Sequence, residues 1–337
     1  MIVVRNAGED DAAPIFDLAS GIGAGMTTLK ADRAVLKARL ALSAASFAGE
    51  VAPSEADYLF VLEDLAQRRI GGVCAIKGAV GVSEPFYNYR ISSSVHTSPA
   101  IGRSSRMESL HLSHDLSGAA ELCSLYLHPD YRRNGNGRLL SKSRFLFLAQ
   151  FPALFPRKVF AEMRGFQNEK GESPFWESVG RPFFQMAFHE ADDRCGMGDR
   201  LFIEQLVPRL PMYTHLLAEE ARAVIGKTHV DTVPAQRLLE QEGLHFDGFI
   251  DIFDGGPVLE AQVSSLRAVR DSRIQLLDTA GAAGPVNCLV ATTQRDRFRV
   301  ILADGDPGAV KISLNRSQRD ALGGERGMPV RVLALNG

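Results

Sequence analysis

The stretch that most constrains this chain is "LYLHPDYRRNGNGRLLSKSRFLFLAQF", Leu125 to Phe151. It joins a strand to a helix through "RRNGNG", Arg132 to Gly137. The preceding "ELCSLYLHP" alternates as a strand does, which predicts Cys123, Leu125 and Leu127 on one face and Leu122, Ser124 and Tyr126 on the other. After the glycines, Leu140, Phe147, Leu148 and Phe151 recur with helical spacing and predict an amphipathic helix. Glycines at the mouth of a helix expose backbone N–H groups in line with its dipole, a natural cradle for an anion. The spacing alone is a weak signal. It lacks the third glycine of a dinucleotide fingerprint and the Gly-Lys-Ser/Thr of a nucleotide-triphosphatase loop, and a plain Gly/Asn turn would read the same way.

The rest of the chain supplies alternating elements. "MIVVR" predicts a strand, "DDAAPIFDLASGI" a helix, "GIGAGMTTL" a glycine-rich turn and "ADRAVLKARLALSAASFA" a second helix with Leu36, Leu40 and Ala44 on one face. "DYLFVLEDLAQRRIGGVCAIKGAV" reads as a hairpin, and "EPFYNYRISSSVHTS" and "RKVFAEMRG" as strands. In "GESPFWESVGRPFF", Ser173 stands at a helix N-cap and Pro174 at the first helical position. "PAQRLLEQEGLHFDGFIDIFDGGP" predicts a helix stopped by Gly243 and then a strand, a layout like that of "SPFWESVGRPFF" that points to a degenerate internal duplication. "LRAVRDSR" reads as a linker. From about residue 274, "NCLVATT", "FRVILAD", "AVKISL" and "PVRVLAL", interrupted by a short helix "SQRDALGG", predict a small closed β domain. The expected class is α+β, in three parts: 1–200, 201–265 and 274–337, the last a small β-barrel.

Composition removes several classes. Lysine plus arginine number 38 against 40 acidic residues, a net charge of −2. A nucleic-acid surface would need a clustered positive excess. The start "MIVVRNAGEDDAAP" has no basic run before an apolar segment, and "RFLFLAQFPALF" is broken by Pro152, far short of a membrane span. The four cysteines, Cys74, Cys123, Cys195 and Cys288, form no CxxC pair, so neither a zinc site nor a disulfide framework is expected. A cytoplasmic enzyme with no metal, no membrane contact and no nucleic-acid partner is the expectation.

In context, Arg132-x-x-Gly135-x-Gly137, placed between a strand ending "HPDY" and an amphipathic helix, resembles the acyl-CoA pyrophosphate loop of the GCN5-related N-acetyltransferase (GNAT) superfamily. The blocks "YLFVLED", "EPFYNYR", "ELCSLYLHPDYRRNGNGRLLS", "AEMRG", "SPFWESVGR", "VIGKTHVDT" and "DIFDGGP" resemble, in order and spacing, the arginine N-succinyltransferases. The resemblance covers Met1 to about residue 335. It implies a GNAT-like fold and transfer of a succinyl group from succinyl-CoA to the α-amino group of L-arginine, with ornithine accepted by some members. No tightly bound cofactor is implied. A homo-oligomer, or a hetero-oligomer with a paralogous subunit, is expected. The alternatives are an acyltransferase acting on ornithine or another amino acid, and a non-catalytic subunit, although a non-catalytic chain would be expected to lose the phosphate loop or the histidine, and this one keeps both.

The same resemblance implies a proton-donor role for His229 and acyl-CoA contact at Leu125 and Leu127, with Arg132, Arg133, Gly135, Gly137 and Arg138 about the pyrophosphate. Read by itself, His229 is better explained as the cap of a turn before Asp231. Glu121 stands where a general base could, or as a solvated carboxylate at a strand start. Cys123 reads as a small buried hydrophobe rather than a nucleophile. His111 and His114 lack a third ligand for a metal. The substrates' carboxylates call for arginines and the guanidinium for an acid; Arg90, Arg164, Asp251 and Asp254 are available. Two positions depart from the family pattern: His114 stands where asparagine is expected and Val230 where proline is usual. Both bear on substrate preference.

Overall fold

Runs of β-branched and aromatic residues become strands, and the chain pairs them edge to edge into one sheet. The computed structural model describes residues 1–22, 26, 28–198, 201–279 and 284–336. Its strands are β1 (Ile2–Asn6), β2 (Asp57–Asp64), β3 (Arg69–Lys77), β4 (Asn88–Ser98), β5 (Arg103–Ser113), β6 (Ala120–Leu127), β7 (Lys158–Glu162), β8 (Met212–Tyr213), β9 (His245–Ile250), β10 (Pro257–Gln262), β11 (Arg273–Asp278), β12 (Val286–Thr292), β13 (Arg299–Gly305), β14 (Lys311–Ser313) and β15 (Pro329–Ala334). The α-helices are α1 (Ala12–Ser20), α2 (Arg33–Ala48), α3 (Asn136–Gln150), α4 (Arg181–Phe184), α5 (Phe188–Gly196), α6 (Leu201–Leu206), α7 (Glu219–Val224), α8 (Val233–Glu242), α9 (Arg267–Asp271) and α10 (Arg316–Leu322). The strand order is β14-β11-β15-β12-β13-β1-β2-β3-β6-β7-β10-β9-β4-β5-β8. Among these neighbours only β6–β7 and β11–β14 run parallel.

The sheet wraps α3. This helix meets β1, β3 and β6 on one side and β12, β13 and β15 on the other, with α8 and α9 alongside. The helix is therefore buried from Leu139 to Ala149 rather than along a single stripe, as a helix enclosed on all sides must be. Phe147 sits in an aromatic cluster, 5.3 Å from Phe60 and 5.0 Å from Phe298 between ring centroids. The opposite face of the sheet is covered by α1 and α2, where Ile15, Leu36 and Leu40 pack on Leu59, Val61 and Val73. Asp32 caps α2, accepting the Ala34 and Val35 amides at 2.8 and 2.9 Å.

Several expectations are corrected here. The C-terminal strands do not close into a barrel. They continue an open mixed sheet, because β13 pairs with β1 through Val4–Val300 and Arg5–Arg299. The physical reason is that both faces of these strands are apolar. Leu289, Val300 and Leu333 face α3, while Val290, Ile301 and Val332 join the cluster that includes Ala321 and Leu322 of α10. The expected linker contains α9, whose Arg267 is buried against Glu242. The expected internal duplication fails in layout, since α4 leads into α5 rather than into a strand. The Ser173 cap is as read: its Oγ accepts the Trp176 amide at 3.2 Å, although the turns that follow widen into a π-helix over Trp176–Gly180. In the glycine-rich turn, residues 23–25 and 27 lie outside the described residues. No helix of the described residues is long and apolar enough to cross a membrane.

Candidate active site

Between β6 and β7 the sheet comes apart. The two parallel strands share register only at Ala120–Val159 and Glu121–Phe160, and β7 then pairs with β10 on its far side. Beyond Glu121 the β7-facing edge of β6 is unpaired, and Glu121 to Leu127 line a cleft of about 1240 Å³. The cleft is completed by the first turn of α3, by Glu162 at the end of β7 with Met163 and Arg164 beyond it, by α8, and by Asp251 and Asp254 in the turn before β10. An open strand edge inside a cleft invites an extended, amide-bearing ligand to add as a further strand.

The edge is shaped by a bulge that strand alternation does not anticipate. Cys123 pairs with Ala75 and Tyr126 with Val73, so Ser124 and Leu125 together oppose Cys74 alone. Ser124 takes a left-handed backbone, φ 53°. Its Oγ donates to the Thr28 carbonyl at 2.9 Å and accepts from Arg39 at 2.9 Å, and Arg39 is anchored on Asp57 at 2.7 Å. The extra residue flips the pattern: Leu125 and Leu127 turn to the α3 side with Leu122, whereas Cys123 packs with Tyr126 on the α1–α2 side. The expected grouping of Cys123 with Leu125 and Leu127 is thus corrected.

At the mouth of the cleft, Gly135 caps α3 in the left-handed region, φ 78°, following Asn134 at φ 53°. The Asn136 amide is taken by the Arg133 carbonyl at 3.0 Å, and the following first-turn amides point out of the helix end. Gly137 has an ordinary helical backbone, and a Cβ there would meet nothing closer than Leu127 at 3.8 Å. The two glycines therefore do different work: Gly135 makes the turn, while Gly137 leaves the helix mouth open. Arg132, Arg133 and Arg138 all line this end. Arg132 also donates to the Leu127 carbonyl at 3.0 Å, and Arg138 to Asn336 at 2.8 Å.

His229 lies at the other wall. Its amide donates to the Arg164 carbonyl at 2.8 Å, and its Nδ1 accepts the Asp231 amide at 3.2 Å. The ring is largely buried, flanked by the cleft residues Arg164, Asp231 and Thr232, and is not itself part of the lining. Burial, and then the Arg164 charge, push its pKa below 6.5, with Asp231 opposing. The cap reading and a placement beside the cleft thus hold together.

Asp251 and Asp254 are enclosed at the same wall. Asp254 accepts the Gly165 and Gly256 amides at 2.7 and 2.9 Å, and Asp251 those of Phe253 and Asp254 at 2.7 and 2.9 Å. Burial, and for Asp254 also its neighbour Asp251, raises both carboxyls above the ordinary carboxylate range. Glu121 is buried 3.3 Å from Lys77, and its Oε2 has no hydrogen-bond partner among the described residues. Cys123 is buried, and burial followed by the Glu121 charge pushes its thiol up to about 11. Arg90 is elsewhere, paired with Asp247 at 3.4 Å and stacked over Phe249. His111 bonds Ser109 and His114 packs at a tilt against Tyr87; no metal-binding group of three or more His, Cys, Asp or Glu residues occurs among the described residues. Sequence reasoning missed Thr28, Arg39 and the role of Ser124 in locking the bulge, and the buried Arg144. A serine inside an apolar strand and basic residues inside "SKSRFLFLAQ" were the available signals.

The family model described as arginine N-succinyltransferase beta subunit matches residues 2–268, and that of its C-terminal domain matches residues 270–334. An arginine N-succinyltransferase of Escherichia coli O139:H28 is 45% identical over 337 residues, covering 99% of this chain and 98% of the relative. That of Citrobacter koseri is 46% identical over 339 residues, covering the same shares. The solved structure of arginine/ornithine succinyltransferase subunit AI from Pseudomonas aeruginosa superimposes with a TM-score of 0.91 at 35% identity, covering 100% of this chain and 99% of that one. With its splayed strand pair and open helix mouth, the chain has the fold of that solved subunit and belongs to the arginine N-succinyltransferase family.

Proposed function

We propose that the chain transfers the succinyl group of succinyl-CoA to the α-amino group of L-arginine, releasing CoA and N2-succinyl-L-arginine. The observation that carries this reading is the open edge of β6, which runs from the bulge at Ser124 straight to the mouth of α3 within one cleft. The pantetheine arm, which bears two amides, adds along Leu125 to Leu127. The pyrophosphate meets the first-turn amides of α3 with Arg132, Arg133 and Arg138 around it.

The thioester then lies near the bulge. The amino nitrogen, once deprotonated, attacks the thioester carbonyl carbon, and backbone N–H groups next to Leu125 hold the oxyanion. Glu121, which lines the cleft with its Oε2 paired to Lys77 at 3.3 Å, receives the ammonium proton. As the C–S bond breaks, the nitrogen gives up its second proton to the departing CoA thiolate on the side of His229, whose Nε2–H hydrogen-bonds the sulfur. Arg164 receives the acceptor's carboxylate. The Asp251–Asp254 pair, short of compensating positive charge, receives its guanidinium.

The test is direct. The chain purified alone is given succinyl-CoA and a panel of amino acids, and free thiol is followed. Arginine-dependent CoA release is expected, and ornithine belongs in the panel because the Pseudomonas aeruginosa relative is an arginine/ornithine succinyltransferase subunit. No release with any amino acid overturns the reading in favour of a non-catalytic subunit. The same preparation, sized in solution, gives the oligomeric state; an oligomer is expected.

A further inference from the structure

Three basic side chains are buried among the described residues: Lys142, Arg144 and Arg267. Two of them share a carboxylate, with Lys142 Nζ 3.0 Å and Arg267 Nη2 2.9 Å from Glu242 Oε1. Arg144 has no such partner. It is 1% exposed, and no carboxylate of the described residues forms an ion pair with it. Two of its five N–H donors are committed, Nε to the Ser141 carbonyl at 3.2 Å and Nη2 to Ser141 Oγ at 3.1 Å. The ionisable groups close enough to act on it are the thiols of Cys74 and Cys123, and burial pushes both up to about 11, so both are neutral. A guanidinium does not shed its proton at neutral pH, so a whole positive charge is enclosed without compensation. Such a charge is costly to keep.

Its position gives it a use. Arg144 lines the cleft together with Leu140, one turn earlier on α3, and α3 packs directly on β6. It therefore lies on the α3 side of the same opening that Glu121 to Leu127 line. We propose that Arg144 is the subsite for the carboxylate of the acyl group, meeting an anion carried two methylenes beyond the thioester carbonyl. Three uncommitted N–H donors suffice for both carboxylate oxygens, in the fork geometry that arginine favours. The assignment rests on succinyl-CoA being the acyl donor. It makes Arg144 a discriminator between dicarboxylic and monocarboxylic acyl groups, because an uncharged acyl chain leaves the buried cation unpaired.

Binding of CoA, acetyl-CoA and succinyl-CoA to wild type, Arg144→Met and Arg144→Lys is measured by calorimetry, with arginine turnover alongside. Wild type is expected to bind succinyl-CoA more tightly than acetyl-CoA. Arg144→Met should bind CoA and acetyl-CoA as wild type does, while its Kd for succinyl-CoA rises about 100-fold. Its ligand-free melting temperature should not fall, since an uncompensated charge has been removed. Arg144→Lys should recover part of the preference, and carries the test should the methionine variant not fold. Retention of the wild-type succinyl-to-acetyl ratio in either variant overturns the proposal, as does an equal loss of CoA and succinyl-CoA binding. A wild type that shows no preference for succinyl-CoA overturns the donor assignment, and the subsite with it. That failure is read in the wild type and is distinct from failure of Arg144 alone.

Discussion

His229 accepts the backbone N–H of Asp231 on Nδ1 at 3.2 Å, and His128 makes the same bond to Asp130 at 3.3 Å. Both rings cap a short helical turn with nearly identical backbone angles, φ −57° in each. With Nδ1 accepting, the proton of the neutral ring sits on Nε2, free to be offered elsewhere. The two histidines form a natural control pair. His229→Ala should lower kcat by roughly 10²–10⁴-fold with little change in the KM for succinyl-CoA. His128→Ala should lose a comparable cap, about 1 kcal/mol, and keep its turnover. Melts and kinetics on the same preparations separate the two roles; a kcat within threefold of wild type in His229→Ala removes it from the mechanism.

The environment of His229 predicts a pH signature. Burial and Arg164 depress the folded pKa below 6.5, so below that pH the unfolded ring binds a proton the folded ring refuses. The stability this site contributes is present above about 6.5 and is lost as pH falls through the window between the two values. Arg164→Gln should move the ring's titration upward without restoring it fully, because burial remains. NMR titration of the His229 ring reads this, and an unchanged midpoint in Arg164→Gln contradicts the electrostatic link.

Gly135 and Gly137 should respond differently to alanine. Gly135→Ala forces a side chain into the left-handed region and within 3.3 Å of Leu302, so stability should fall by roughly 1–2 kcal/mol. Gly137→Ala has a helical backbone and only an ordinary contact, with Leu127 at 3.8 Å, so the fold should be unharmed. Its methyl group would crowd the helix mouth, and the KM for succinyl-CoA should rise. Equal KM values in wild type and Gly137→Ala would remove the anion site from this helix end.

Transfer should be direct rather than through an acyl-enzyme. A Cys123 thiol held near 11 is a poor nucleophile at neutral pH. Cys123→Ala should keep most activity, and initial-rate plots against the two substrates should intersect. Succinyl label found on Cys123 by mass spectrometry is the opposing result.

Removing the C-terminal strands should damage the fold itself. Cutting the chain after residue 270 would strip β13 from β1, Phe298 from the ring of Phe147, and Asn336 from Arg138. The truncated chain is expected to be insoluble or to lose its cooperative melt. A soluble truncation with a native melt and native succinyl-CoA binding would show that the strands are dispensable for the site.

The sequence alone determined the local part of the site. Glycine conformations, the helix start within "RRNGNG" and the cap at Ser173 are set by residues close together in the chain, so their chemistry is legible there. The resemblance of blocks spread over the whole chain pointed to the family. Tertiary structure decided what depends on partners far away in sequence. The bulge at Ser124 flips Leu125 and Leu127 because Thr28 and Arg39 hold it, and within "ELCSLYLHP" the serine is the one signal of it. The "barrel" became sheet because β1 offered β13 an open edge. The stripe on α3 became a fully enclosed helix because strands from both ends of the chain close around it, and only that enclosure turns Arg144 from an ordinary basic residue into a buried, unpaired charge at the cleft.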